Sequence, residues 1–192
     1  MLALAETFYS VQGEGAWTGT PAVFVRLAGC NLNCRFCDTD YSLTAFASVA
    51  GIVARVRELG GSCPMVILTG GEPLAQRETA DLIEALRRDG RRVHVESNGS
   101  VPVPLPDDVW LTVSPKERLH PLMAARANEV KLIVDGRVPE EWLAAFAGRD
   151  VPTFLQPEGN KPANVALALD AAKASPGRFR LGLQTHKFIG VR

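Results

Sequence analysis

Short apolar runs alternate along this chain with longer segments in which apolar positions recur every three or four residues. The short runs predict β-strands at residues 3–9, 22–27, 65–69, 93–96, 109–113, 130–134, 153–156 and 179–183. The longer segments predict helices at residues 49–59, 78–89, 142–146 and 165–174. Short buried strands separated by helices of this length favour βαβ units, and hence a mostly parallel α/β sheet.

Polar and glycine-rich motifs follow most of these strands. They occupy residues 30–37, 69–73, 96–99, 114–116, 156–159 and 184–187. Each motif alone is compatible with an ordinary turn, because Gly, Pro, Ser and Asn dominate turns. In a parallel α/β barrel, however, functional residues collect at the carboxyl ends of the strands. We therefore expect one active-site rim. Strands 3–9 and 22–27 are joined only by a glycine-rich link, so they are expected to form an extension beside the main sheet.

Three cysteines follow the strand at 22–27 with the spacing Cys-x3-Cys-x2-Cys, namely Cys30, Cys34 and Cys37. Three thiolates can hold three irons of a four-iron cluster and leave the fourth iron open. A zinc site completed by Cys63 or a histidine is an alternative, as are unrelated thiols. Cys63 itself, beside Pro64, is more typical of a small buried hydrophobic residue.

Length and composition narrow the class of protein. The 192 residues suit a single domain over 1–192, and the formal net charge of zero does not suggest binding to a nucleic acid. No apolar stretch approaches the length of a membrane span. Four cysteines and no signal peptide argue against a disulfide framework. We expect a cytoplasmic protein with reduced thiols.

The cysteine spacing and the Gly-Gly-Glu-Pro motif at 70–73 resemble those of radical S-adenosylmethionine (SAM) enzymes. A narrower resemblance extends from about Glu6 to the last residue. It rests on Ser-Val-Gln-Gly-Glu-Gly at 10–15, on the segment 19–32, on Cys-Asp-Thr at 37–39, and on the motifs at 69–73, 96–99, 114–116 and 184–187. Together these are similar to the 7-carboxy-7-deazaguanine synthase family. Ser97 departs slightly, since threonine is commoner there in the family, but a hydroxyl is retained.

This resemblance implies a shortened, open (partial) TIM-like parallel α/β barrel that acts as a homodimer. It implies conversion of 6-carboxy-5,6,7,8-tetrahydropterin to 7-carboxy-7-deazaguanine with loss of ammonia, in 7-deazaguanine (queuosine) biosynthesis. The implied cofactors are a [4Fe-4S] cluster, SAM that is regenerated in each turnover, and Mg2+. An electron donor such as flavodoxin or ferredoxin is the implied protein partner.

The resemblance also assigns site residues. Cys30, Cys34 and Cys37 would hold the cluster, and Thr39 would bind Mg2+. Residues expected to contact SAM are Phe36, Cys37, Asp38, Gly71, Ser97, Ser114, Pro115, Lys116, Gln156, Pro157, Glu158 and Gly159. Residues expected to contact the pterin are Val11, Gln12, Gly13, Glu14, Arg26, Thr69, His186 and Arg192, the last through its terminal carboxylate.

Several of these residues have simpler interpretations. Phe36 could pack in a core, Arg26 could form a surface ion pair, and Asp38 with Thr39 could cap a helix. A chain end such as Arg192 often frays. Three other functions also stay open: a glycyl-radical-enzyme activase, another pterin- or purine-modifying radical enzyme, and a zinc-stabilised binding module.

Overall fold

Nine strands form one continuous sheet in the computed structural model, which describes residues 1–192. The strands are β1 (Leu2–Val11), β2 (Pro21–Leu27), β3 (Ala45–Ala47), β4 (Met65–Gly70), β5 (Arg92–Ser97), β6 (Trp110–Val113), β7 (Glu129–Val134), β8 (Thr153–Pro157) and β9 (Arg180–Leu181). Their order in the sheet is β3-β1-β2-β4-β5-β6-β7-β8-β9. Strand β1 is antiparallel to β2 and β3, whereas every neighbouring pair from β2 to β9 is parallel. The sheet is open, as in a partial TIM-like barrel.

Five α-helices connect the strands or follow them. They are α1 (Val49–Gly60), α2 (Thr79–Arg88), α3 (Pro121–Arg126), α4 (Pro162–Ala174) and α5 (Thr185–Ile189). Four 3-10 helices lie at Gly15–Trp17, Pro73–Ala75, Glu140–Phe146 and Glu158–Asn160. Helix α1 begins where the Ser48 side chain accepts a hydrogen bond from the Gly51 N–H. No helix combines the length and the apolar character that crossing a bilayer requires.

Most predicted strands and helices are present, but three expectations need correction. The strand predicted at 22–27 is not part of a side extension, because β2 pairs in parallel with β4 and belongs to the main sheet. Only β1 and β3 form the extension. The helix predicted at 142–146 is a 3-10 helix, and the strand predicted at 179–183 shortens to Arg180–Leu181. The sequence patterns did not predict β3, α3 or α5, because each is too short to show a period.

Side chains on the two faces of the parallel strands meet different surroundings. Apolar residues of one face pack with the helices into a buried cluster, as Val130, Leu132 and Val134 of β7 do. The alternate residues of the same strand include Glu129 and Lys131, which point to the other face, because side chains alternate along a strand. The face away from the helices therefore carries the polar groups, and it forms the inner wall of a cavity.

Candidate active site

One cavity of about 480 Å3 lies at the carboxyl ends of the parallel strands. With one exception, it is lined by every residue that the sequence analysis assigned to the cluster, SAM, the pterin or Mg2+. The exception is Pro115, which is buried and does not line the cavity. The motifs that follow the separate strands therefore share one rim.

The three-cysteine loop follows β2 at one side of this cavity. Cys30 and Cys34 are partly buried, and Cys37 is exposed. The Leu32 N–H points at Cys30 Sγ over 3.5 Å. Burial raises the pKa of Cys34; the Lys116 ammonium opposes this shift, and the Cys30 and Cys37 thiols add to it. The three thiols are thus close enough to influence one another electrostatically.

Cys63 plays no part in this loop. It is buried outside the cavity, and its Sγ donates to the Pro21 carbonyl oxygen over 3.3 Å. It therefore packs as a small buried residue and does not supply a fourth ligand to the three-cysteine loop. No group of three or more His, Cys, Asp or Glu side chains in residues 1–192 is arranged around a single metal-ion position.

The Gly-Gly-Glu-Pro loop after β4 packs directly against the cysteine loop. The Glu72 N–H donates to the Gly29 carbonyl oxygen over 3.1 Å. A Cβ at Gly71 would overlap that same carbonyl and the Cβ of Cys30. Only glycine allows the two backbones to approach this closely, which explains the residue at position 71.

Glu72 joins this loop to the one that follows β5. Its buried carboxylate accepts hydrogen bonds from Ser97 Oγ at 3.0 Å, from the Asn98 N–H at 2.7 Å and from the Leu74 N–H at 3.0 Å. Burial raises the pKa of Glu72, and the three hydrogen bonds oppose that shift. The sequence analysis assigned no individual role to Glu72, whereas in the structure its carboxylate joins the loops that follow β4 and β5.

Residues expected to contact SAM continue around the rim. Lys116 Nζ lies 2.5 Å from Ser114 Oγ and 5.7 Å from the centre of the Phe36 ring. Burial, and then the like charge of Lys131, lower the pKa of Lys116 to about 8. Gln156 is 5% exposed, and its Oε1 has no hydrogen-bond partner in the protein. This buried acceptor at the cavity wall is suited to a ligand that carries an N–H donor.

The same cavity wall also contains a buried ion cluster. Lys131 Nζ lies 2.5 Å from Glu14 Oε2 and 3.0 Å from Glu96 Oε2. Gln12 Nε2 donates to the other oxygen of Glu96 over 3.2 Å. Burial alone would raise the pKa of Glu14, but the charge and hydrogen bond of Lys131 outweigh it and lower that pKa to about 2. Glu14 is therefore a carboxylate at neutral pH.

The carboxyl-terminal motif at 184–187 packs against the cavity wall beside this ion cluster. Most of the motif lies in helix α5 instead of following a long strand. The Thr185 N–H donates to the Gly13 carbonyl oxygen over 2.9 Å. Gln184 Nε2 lies 3.0 Å from Glu14 Oε1 and 3.3 Å from Asp38 Oδ2. A Cβ at Gly13 would overlap the ring of His186. The motif thus packs against the segment after β1.

Two arginines lie beside Glu6 at the cavity. Arg26 Nε is 2.8 Å from Glu6 Oε1, and an Arg192 guanidinium nitrogen is 3.0 Å from Glu6 Oε2. The main-chain oxygen of Arg192 accepts from Ser10 Oγ at 2.6 Å. Arg26 is therefore part of the cavity wall as well as an ion pair, and Arg192 contacts both Ser10 and Glu6.

Thr39 lies in an irregular segment that also lines the cavity. The first α-helix begins at Val49 and is capped by Ser48, so Asp38 and Thr39 do not cap a helix. Asp38 instead pairs with Lys187 Nζ at 2.5 Å.

Sequence reasoning missed several cavity residues, notably Lys131, Gln184 and Glu6 as individual side chains. Lys131 did leave a signal, because it interrupts the otherwise apolar run at residues 130–134. A lysine between buried apolar neighbours is rare unless it is paired.

Comparisons with known proteins identify the family of this chain. Residues 25–110 match the model of the radical SAM superfamily. The chain is 40% identical to a 7-carboxy-7-deazaguanine synthase from Bacteroides thetaiotaomicron, with 100% of both chains covered. It is 38% identical to the enzyme of that name from Burkholderia multivorans, with 98% of both covered.

A solved structure gives the same result. The crystal structure of QueE from Escherichia coli superposes with a TM-score of 0.83 at 28% sequence identity, covering 96% of this chain and 94% of that one. The full-length sequence matches and the shared fold lead to one conclusion. The chain belongs to the 7-carboxy-7-deazaguanine synthase family of radical SAM enzymes.

Proposed function

We propose that this enzyme converts 6-carboxy-5,6,7,8-tetrahydropterin to 7-carboxy-7-deazaguanine and ammonia, with a [4Fe-4S] cluster, SAM and Mg2+. The observation that carries the proposal is the set of residues that line the cavity at the carboxyl ends of the strands. Its wall holds three cysteines together with amide, carboxylate and guanidinium groups contributed by both ends of the chain. A small polar heterocycle bound there would lie beside the cofactors.

The residues of the cysteine side suit the family's cofactors. Three thiols share one loop, the Leu32 N–H is directed at Cys30 Sγ, and the Gly71 backbone packs where a side chain would block it. The orphan Oε1 of Gln156 could accept from an adenine amino group. When bound, the cluster and SAM supply reductive cleavage of SAM and hydrogen-atom abstraction from the substrate.

The part of the wall around Glu14 and Arg26 offers groups that complement a carboxypterin. Glu14 and the carbonyl groups near it can accept hydrogen bonds from the N–H groups of the pterin ring, and Gln12 can both donate and accept. The guanidinium of Arg26 makes its contact with Glu6 through Nε, which leaves its Nη atoms available for the substrate carboxylate. Thr69 and His186 would complete the pocket, and the terminal carboxylate of Arg192 would add an acceptor.

Thr39 is our candidate ligand for Mg2+. It lies in the cavity wall near the cysteine loop. Magnesium usually takes one or two protein oxygens and completes its shell with water and substrate oxygens. A single threonine hydroxyl, together with the substrate carboxylate, is consistent with that coordination preference. A flavodoxin or ferredoxin as electron donor and a homodimer are further parts of the proposal.

The test is anaerobic reconstitution with iron and sulfide, followed by incubation with the pterin, SAM, Mg2+ and a reductant. Formation of 7-carboxy-7-deazaguanine and one equivalent of ammonia is expected, and omission of SAM should abolish it. A Cys34→Ser variant is the matched control, since it removes one cluster thiolate. Cleavage of SAM without any conversion of the pterin would refute the proposed substrate and favour another radical SAM reaction.

A further inference from the structure

We propose that Lys131 is a positioning residue of the substrate site, which fixes Glu14 and Glu96 as hydrogen-bond acceptors for the N–H edge of the pterin. This inference rests on the proposed substrate. Lys131 acts through the two carboxylates and is not itself assigned a chemical step.

The geometry makes Lys131 the link between two elements of the cavity. Glu14 follows β1, Glu96 lies near the carboxyl end of β5, and Lys131 lies on β7. One ammonium binds both carboxylates, at 2.5 and 3.0 Å, and the Lys131 side chain is only 11% exposed. Such a buried, doubly paired cation holds both partners in one arrangement.

The second oxygen of each carboxylate is also held by a neutral amide. Gln184 Nε2 donates to Glu14 Oε1 over 3.0 Å, and Gln12 Nε2 donates to Glu96 Oε1 over 3.2 Å. Each carboxylate oxygen can accept more than one hydrogen bond, so capacity remains for a ligand. The cluster is thus a preorganised row of acceptors along the cavity wall.

The cation is needed because the two carboxylates lie on either side of the same nitrogen. Without Lys131, like charges this close would favour protonation of one carboxylate. A protonated carboxyl group presents an O–H donor. This donor would face the N–H donors on the aminopyrimidinone edge of the substrate, where an acceptor is needed. The other titratable groups that face this cluster are Lys116, His94, His186, Asp38 and Glu129, and His94 Nε2 lies 3.4 Å from Glu96 Oε1. None of them is placed between Glu14 and Glu96.

The experiment compares wild-type holoenzyme with Lys131→Met and, as a matched control, Lys173→Met on the exposed part of α4. Substrate affinity is measured by calorimetry with SAM bound, alongside KM, SAM affinity and Tm. Lys131→Met should weaken pterin binding about tenfold or more, because the paired charges lose their partner. SAM affinity should stay within about twofold, because Lys131 contacts the expected SAM residue Ser114 only through its main-chain oxygen, which Lys131→Met retains. Lys173→Met should match the wild type throughout.

A Glu14→Gln background shows whether Lys131 acts through Glu14. In a Glu14→Gln background, the added Lys131→Met change should weaken pterin binding by less than about threefold, since interacting residues are not additive. Lys131→Gln, which keeps a donor without the charge, replaces Lys131→Met should that variant not fold, and the same losses are expected.

A lower Tm with unchanged pterin affinity, or equal losses in both backgrounds, would overturn the inference while leaving the proposed function intact. Failure of the wild-type enzyme to bind or convert the pterin would instead refute the proposed function.

Discussion

A buried carboxyl group beneath the cavity should make the stability of this protein depend on pH. Glu129 is 1% exposed, and its Oε2 accepts from the Ala16 N–H at 2.9 Å. A Cβ at Gly15 would overlap its other oxygen. The Lys131 ammonium is already bound to Glu14 and Glu96, so Glu129 has no cation of its own.

Burial, and then repulsion from Glu96, raise the pKa of Glu129 from 4.5 to about 7; the Ala16 N–H and Lys131 oppose the shift. His94, two strands away on β5, has its pKa lowered to about 4 by burial, so it supplies no charge at neutral pH. Because the folded-state pKa is raised, the folded protein takes up a proton that the unfolded chain releases. The carboxyl therefore destabilises the fold progressively as pH rises from about 4.5 to about 7.

Replacing Glu129 with Gln should remove this effect. The interval between 4.5 and about 7, at about 1.4 kcal/mol per pH unit, corresponds to on the order of 3 kcal/mol. Glu129→Gln should therefore be more stable than the wild type by roughly that amount near pH 8, and by only about 1 kcal/mol near pH 5.5. The Gln carbonyl can still accept from the Ala16 N–H.

Urea denaturation across this pH range, under anaerobic conditions, measures the difference. Glu140→Gln serves as the control, since Glu140 is exposed. A stability gain that does not change with pH, or a loss near pH 8, would contradict the reasoning and would mean that Glu129 is ionised and stabilising in the fold.

Three other changes test the two sides of the cavity. Cys34→Ala should abolish SAM cleavage and the cluster absorbance. Cys63→Ala should leave both nearly intact, because Cys63 lies outside the cavity. Iron analysis and a visible spectrum of each variant measure its cluster content. Thr39→Ala should weaken the response of the rate to Mg2+ while sparing cluster content, and an unaltered magnesium titration would place the metal elsewhere. Deleting Arg192, which contacts Ser10 and Glu6, should raise KM for the pterin with SAM affinity unchanged, and unchanged kinetics would remove it from the site.

The sequence predicted the parallel sheet and the shared rim because both follow from local patterns. Apolar runs such as the one in β4 mark strands, and the glycines and cysteines that follow them are visible as motifs. The pairing of Lys131 with Glu14 could not be predicted in this way, because it joins residues 117 positions apart. Helix α5 was missed for another reason: five residues are too few to display a helical period.

Two parts of the cavity wall are held together in different ways, and this difference affects the order in which the enzyme can lose its activities. Near the cysteines, loops are joined by bonds between residues 25 and 26 positions apart, those of Glu72 to Ser97 and Asn98. The wall around Glu14, where we propose that the pterin binds, is closed by bonds between the two ends of the chain, with Gln184 reaching Glu14 across 170 residues. Chain ends open more readily than the middle of a sheet. Heat, a terminal fusion or a nearby protease should therefore open the wall around Glu14 before it disturbs the loops joined by Glu72, and conversion of the pterin should be lost before cleavage of SAM.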